Sequence, residues 1–252
     1  MVAMGKESKA VQAAGLAIVL LALLVLAAGP AGTHWGLWRP LTGFILFMGA
    51  AVVGGVLGLI LSLAGLWAAR GAKAGSGAAK SALLLSLAML AVIVAAVAMG
   101  SRVPAIHDIA TDMEDPPAFE QAVHMPANGG RDLAYPHGSP DTPALQREAY
   151  PDIETLRLEA APAEAFKRAL QAAHDLGWST TWSNHALMRF EAYDRTAFFA
   201  FEDDVSVRVR PHPQGGSIVD VRSTSRVGRS DFGTNAERVR NFLKRVENPP
   251  SS

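Results

Sequence analysis

Residues 11–28 (VQAAGLAIVLLALLVLAA), 41–69 (LTGFILFMGAAVVGGVLGLILSLAGLWAA) and 81–100 (SALLLSLAMLAVIVAAVAMG) contain no charged side chain. Each approaches or exceeds the roughly 20 residues that a membrane-spanning helix needs. A backbone in hydrocarbon must satisfy its own hydrogen bonds, so such runs form helices and not open strands. The middle run is longer than required and predicts a helix that tilts or extends past the bilayer. Trp35 and Trp38 precede it and Trp67 closes it, positions where indole rings gather at the membrane–water boundary. No ionisable residue falls within the runs, which disfavours a proton relay or ion pathway built from this bundle alone.

Working outward, the cations that flank the runs set an expected orientation. Lys6 and Lys9 precede the first run, and Arg70, Lys73 and Lys80 lie between the second and third, whereas the first loop holds only Arg39. Positive charge is retained on the cytoplasmic side. The expectation is a multi-pass protein of a bacterial inner membrane with a cytoplasmic N-terminus and a periplasmic C-terminal domain. The first run has an apolar core too long for a cleaved signal peptide and is expected to remain as a helix. Ala50, Gly54 and Gly58 share one face of the second run, beside Ala51 and Gly55, a spacing that lets helix backbones approach closely. That face suits packing inside a three-helix bundle, with a contact to another membrane protein as the alternative.

The rest of the chain has an ordinary globular composition. Residues 101–252 carry 17 basic and 22 acidic side chains, a balance that gives no sign of nucleic-acid binding. The absence of cysteine excludes disulfides, thiol nucleophiles and cysteine zinc sites. Three regions are expected: a transmembrane part over 1–100, an extended Pro- and Asp-rich arm over 101–150, and an α+β core over 151–248. The arm includes Asp115-Pro116-Pro117, Asn128-Gly129-Gly130 and Gly138-Ser139-Pro140, without sustained periodicity. Its apolar residues Ile106, Ile109, Phe119, Tyr135 and Tyr150 predict that it docks on the core.

In the core, residues 153–158 read as a strand. Residues 161–176 read as a helix, with Pro162 in the first turn, Glu164 near the positive end, a stripe of Phe166, Leu170 and Ala173, and Gly177 as its stop. Short strands are predicted over 178–183, 187–193, 196–201, 204–211 and 217–226, with Gln214-Gly215-Gly216 as a turn. In residues 205–210, VSVRVR, alternation is strict, predicting one apolar face and one wet face. A last helix over 234–246 would bury Val239, Phe242 and Leu243. The expected fold is a three-helix transmembrane bundle plus an α+β soluble domain, an antiparallel sheet with two helices packed on one side.

Several of these segments also resemble a known family. Ile106-His107-Asp108-Ile109-Ala110-Thr111-Asp112 with Asp115-Pro116-Pro117-Ala118-Phe119, then Tyr150-Pro151-Asp152-Ile153, then residues 225–235 (SRVGRSDFGTN), resemble in order the bacterial domain-of-unknown-function family 1499. Ala110 stands where the family usually has a threonine. The resemblance implies a shared fold over about residues 102–247, often behind membrane helices, and no established activity.

The polar clusters suggest where such a domain would bind. Arg226, Arg229, Asp231 and Asn235 sit where a strand gives way to a helix, and two arginines beside a helix N-terminus suit an anion such as a phosphate or lipid headgroup. The alternative is that Asp231 or Thr234 caps the helix while the arginines pair with acids. Residues 205–245 carry nine basic and three acidic residues against eight and eighteen over 101–204, so the acidic arm could lie across the basic strand–helix unit. His107, Asp108 and Asp112 complete the candidate ligand-binding set. Neither the acids nor His107, His124 and His137 have the spacing of a calcium loop or zinc site, so no metal or cofactor is expected. Gly228-Arg229-Ser230-Asp231-Phe232-Gly233 misses the spacing of a nucleophile elbow. Trp178 and Trp182 read as core or edge aromatics. The functional expectation is a non-enzymatic, membrane-anchored extracytoplasmic module that binds a partner protein or an anionic ligand such as an anionic lipid. The alternatives are a hydrolase or lipid-modifying enzyme using the Asp/His arm, and an accessory subunit of a membrane complex.

Overall fold

Short connections between apolar helices make sequence neighbours antiparallel neighbours in space. The computed structural model of the chain describes residues 2–70, 76–136 and 141–249. It places α1 at Val2–His34, α2 at Pro40–Ala69 and α3 at Gly77–Gly100. Gly5–His34, Pro40–Ala69 and Gly77–Gly100 are long and apolar enough to cross a membrane. Lys73, His137 and Gly138-Ser139-Pro140 lie outside the described residues. The chain divides into two compact units, one of residues 1–101 with Ala197–Ala200, the other of residues 102–196 with 201–252.

In the membrane unit the large apolar side chains face outward, among them Leu24, Ile45 and Leu84. The interior is lined by small ones: Gly43, Ala51, Gly54, Gly55, Gly58, Ser62 and Gly65 of α2 are buried. Lipid offers apolar side chains the same environment as a helix neighbour does, so close backbone packing supplies the association. The small-residue face therefore packs within the bundle: a Cβ on Gly54 would meet Ala22 and Met89, and one on Gly58 would meet Val19 and Ser86. Gly54→Leu should accordingly destabilise the bundle by about 1–3 kcal/mol or more, the range for overpacking. The check is the temperature at which the detergent-solubilised chain loses monodispersity, which should fall. Trp38 closes the α1–α2 turn, its indole N–H donating to the Gly29 carbonyl at 2.9 Å.

The soluble unit is an antiparallel six-stranded sheet with two helices on one face. Its strands are β1 (Asp108–Ala110), β2 (Leu156–Leu158), β3 (Ser179–Asn184), β4 (Arg189–Arg195), β5 (Glu202–Pro211) and β6 (Ser217–Ser225), in the order β1-β6-β5-β4-β3. β2 also pairs with β6, next to β1 along the same edge. Helix α4 (Thr142–Ala149) lies in the arm, α5 covers Pro162–Asp175 and α6 covers Thr234–Glu247. Three details differ from the sequence expectation. The arm contains a strand, a helix and two 3₁₀ turns. Residues 196–201 form the β4–β5 connection and not a strand. The first core strand is confined to Leu156–Leu158.

Alternation along β5 and β6 builds the core. Val205, Val207, Val209, Val219 and Val221 pack with Phe166 and Ala169 of α5 and Val239 and Phe242 of α6. Trp178 stacks on Phe242 with ring centroids 4.9 Å apart, a core position. Helix α5 ends as its sequence predicts. Gly177 takes φ +78, its N–H reaches the His174 carbonyl, and the Trp178 N–H reaches that of Ala173, the paired bonds of a Schellman cap.

Candidate functional site

The opposite side chains of the same strands are polar: Glu202, Asp204, Ser206, Arg208 and Arg210 on β5, Asp220, Arg222 and Thr224 on β6, and Glu191 on β4. Strict alternation predicts this face to be wet. It is instead covered, with Glu191, Asp204, Ser206, Arg208, Asp220 and Arg222 all buried. The cover is the arm, and the join is ionic. Polar groups removed from water need partners, and charges need them most. Each charge here has one.

Arg222 holds Asp108 through two bonds, Nε to Oδ1 at 2.9 Å and Nη2 to Oδ2 at 2.7 Å, and donates to the Leu133 carbonyl. Its guanidinium lies over the rings of Phe119 and Tyr135, 4.9 and 5.2 Å from their centroids. Arg208 and Arg210 clamp Asp112, Asp115 and Asp220, with Arg210 Nη2 2.7 Å from Asp220. Asp112 also accepts the backbone N–H groups of Glu114 and Asp115. Asp204 gathers Arg131, Asn128 and Arg226. Burial lowers the Arg131 pKa, an effect that its bond to Asp204 opposes. Glu191 accepts the N–H groups of Glu120, Gln121 and Ala122, at the start of the 3₁₀ turn Ala122–His124. The Ser206 hydroxyl donates to the Ala118 carbonyl at 2.8 Å.

The seven sequence candidates do not form one cluster. Asp108, Asp112 and Arg226 belong to this arm-covered face. Arg226 pairs with Asp204 and Glu202 and lies over the Tyr193 ring. Asn235 lies at the start of α6. It receives the Ser223 hydroxyl and Arg238, and donates to Ser225 and to the His107 carbonyl. Asp231 caps α6, accepting the N–H groups of Gly233 at 2.9 Å and Asn235 at 2.7 Å. Gly233 takes φ +83 there, a backbone that suits glycine. Arg229 is exposed. Among the described residues no three His, Asp or Glu side chains stand together so as to hold a metal ion. Behind the sheet, burial raises the Asp203 pKa against the opposing pull of Arg238.

Where the arm does not close completely on the sheet it leaves an open recess of about 440 Å³. Phe119, Val123, Leu133 and Ala134 supply apolar wall, and Arg131, Asp132, Tyr135 and Arg222 the polar part. The Tyr135 hydroxyl is buried and has no hydrogen-bond partner among the described residues. Burial, aided by the nearby Asp108 charge, pushes its pKa up to about 12, so it stays a donor at any physiological pH. Sequence reasoning passed over Glu191, Asp204, Arg208, Asp220 and Arg222. For Asp204, Arg208, Asp220 and Arg222 the one signal was charged residues at every second position of β5 and β6.

No curated protein matches the chain. The family model described as "Protein of unknown function (DUF1499)" matches residues 108–246, from β1 to the last turn of α6 and more than half of the chain. The chain belongs to that family.

Proposed function

We propose that this chain is a membrane-anchored binding module whose recess between arm and sheet receives an apolar side chain of a partner protein. The observation that carries the reading is the buried Tyr135 hydroxyl, which has no partner among the described residues and stands beside the apolar wall of Phe119, Val123 and Leu133. A buried donor without an acceptor costs on the order of 1–3 kcal/mol. A peptide carbonyl would satisfy it while the neighbouring side chain fills the recess. An anionic ligand is the second reading, favoured by the presence of Arg131 and Arg222 in the lining. Both guanidiniums are already neutralised by Asp204 and Asp108, which argues for the apolar peptide. Engagement of Asp108 and Asp112 by arginines likewise favours binding over acid–base chemistry. Lys6, Lys9, Arg70, Lys73 and Lys80 support a cytoplasmic N-terminus and a periplasmic soluble unit in a bacterial inner membrane.

The test is photo-crosslinking in intact membranes from a benzophenone side chain at Val123, which is exposed at the recess. A discrete adduct is expected there, absent when the probe sits at Leu187 on the β3–β4 turn. Filling the recess with Ala134→Trp should reduce it about tenfold, as loss of roughly 1.4 kcal/mol of binding would. An adduct pattern shared with Leu187, or indifferent to Ala134→Trp, would sink the proposal.

A further inference from the structure

Four residues of the membrane unit come from outside its N-terminal segment. Ala197, Phe198, Phe199 and Ala200, the turn between β4 and β5, are part of it. The Phe199 ring stands edge-on to Phe44 and to Phe47, with centroids 5.4 and 5.5 Å apart. Phe198 stands edge-on to Phe47 at 5.5 Å. The Ala197 carbonyl lies 3.0 Å from Nε2 of His34 at the end of α1. Phe198 is nevertheless 55 % exposed.

We propose that this turn is a lipid-inserted anchor, a fourth membrane contact whose partner is the acyl-chain border of the bilayer. Depth is the first argument. Phe44 and Phe47 lie in the first two turns of α2, about 6 and 10 Å along the axis from Pro40 at 1.5 Å per residue. That is the zone in which aromatic rings gather at a membrane boundary, and Trp35, in the same α1–α2 connection, is 76 % exposed. Polarity is the second. The uncharged tip is bounded by the ion pair of Arg195 and Glu202, at 2.7 Å, so the chain changes from charged to apolar within two residues on each side. Backbone satisfaction is the third. The Thr196 N–H donates to the Phe201 carbonyl at 2.8 Å, and the Phe201 N–H to the Thr196 hydroxyl at 2.9 Å. The base of the turn thus presents fewer bare polar groups to hydrocarbon, where each would cost several kcal/mol. An exposed phenyl that is unfavourable in water becomes the inserting group.

The chain has no cysteine, so Phe198→Cys gives a single labelling position. The full chain, labelled there with an environment-sensitive fluorophore, is placed in phosphatidylcholine–phosphatidylglycerol nanodiscs with and without a lipid nitroxide at carbon 5. The same label at Leu187→Cys, 53 % exposed on the β3–β4 turn, serves as the aqueous reference. Quenching by the nitroxide lipid and about tenfold protection from iodide relative to Leu187→Cys are expected. Iodide quenching equal to that at Leu187→Cys, with no effect of the nitroxide, overturns the proposal. Because a label alters the side chain, the unmodified chain is also treated with an apolar carbene reagent in the same nanodiscs. Adducts are expected in the tryptic peptide 196–208, and adducts confined to the helices overturn the proposal.

Discussion

Arg222→Ala should destabilise the soluble unit by about 3–5 kcal/mol, the cost of leaving a buried charge without its partner. Asp108 is 0 % exposed and Arg222 2 %, so the intact pair is shielded from water. The same change strips the cation from the faces of Phe119 and Tyr135 and removes the donor to the Leu133 carbonyl. Arg222→Met separates charge from packing, since it keeps an unbranched stem in the slot. It should retain most of the loss, and adding Asp108→Asn should return about half of it by removing the stranded charge. Thermal unfolding of the full chain in mild detergent, followed by near-ultraviolet circular dichroism, reads all three. An Arg222→Met loss under about 1 kcal/mol would mean that the pair is wet and of little consequence.

Glu191→Gln should release the arm while leaving the helix-side core folded. The Glu191 carboxylate, 1 % exposed, accepts N–H groups from three successive arm residues. A glutamine offers one oxygen, and its NH₂ group faces backbone donors that need an acceptor. Loss of charge-assisted bonds of this kind costs roughly 1.5–3 kcal/mol. Hydrogen exchange localises the effect: amides of residues 118–131 should exchange about tenfold faster or more, the equivalent of 1.4 kcal/mol of local opening, while those of β5 and α5 remain unchanged. Uniform acceleration across the sheet would show that the arm and core open together.

What the sequence discloses here depends on whether the signal is local. Helix α5 was legible in full because Pro162, Glu164, the Phe166 stripe and Gly177 are all on the segment they define. The membrane helices were legible for the same reason. Residues 196–201 misled because an apolar aromatic run reads as strand, whereas Ala200 adopts a left-handed φ of 53° that turns the chain. The polar face of β5 and β6 was visible as a pattern; alternation shows only that two faces differ, and the charge split between acidic arm and basic strand–helix unit was what pointed to the cover. Its cover lies far upstream: Arg208 meets Asp115 across 93 residues and Arg222 meets Asp108 across 114. Contacts made to backbone, such as those of Glu191, leave no trace in side-chain pattern at all. The capping role of Asp231 was foreseeable as an alternative, since Asp before a helix is a frequent cap. The Tyr135 recess was not, because it arises from the incomplete closure of one segment on another.

The ionic join between arm and sheet also bears on how the chain matures. Translation proceeds from the N-terminus, so the arm leaves the ribosome well before the strands that receive it. An early segment that must wait for a distant partner is exposed to aggregation if its docking groups are apolar. Here the waiting groups include the well-hydrated Asp108, Asp112, Asp115 and backbone amides of residues 120–122, beside the apolar Ile106, Ile109 and Phe119. Long-range pairing is slow because the loop must close before any contact stabilises it. The charged share of the docking surface stays hydrated through that delay, so only the apolar share of the arm is at risk while the strands are still to come.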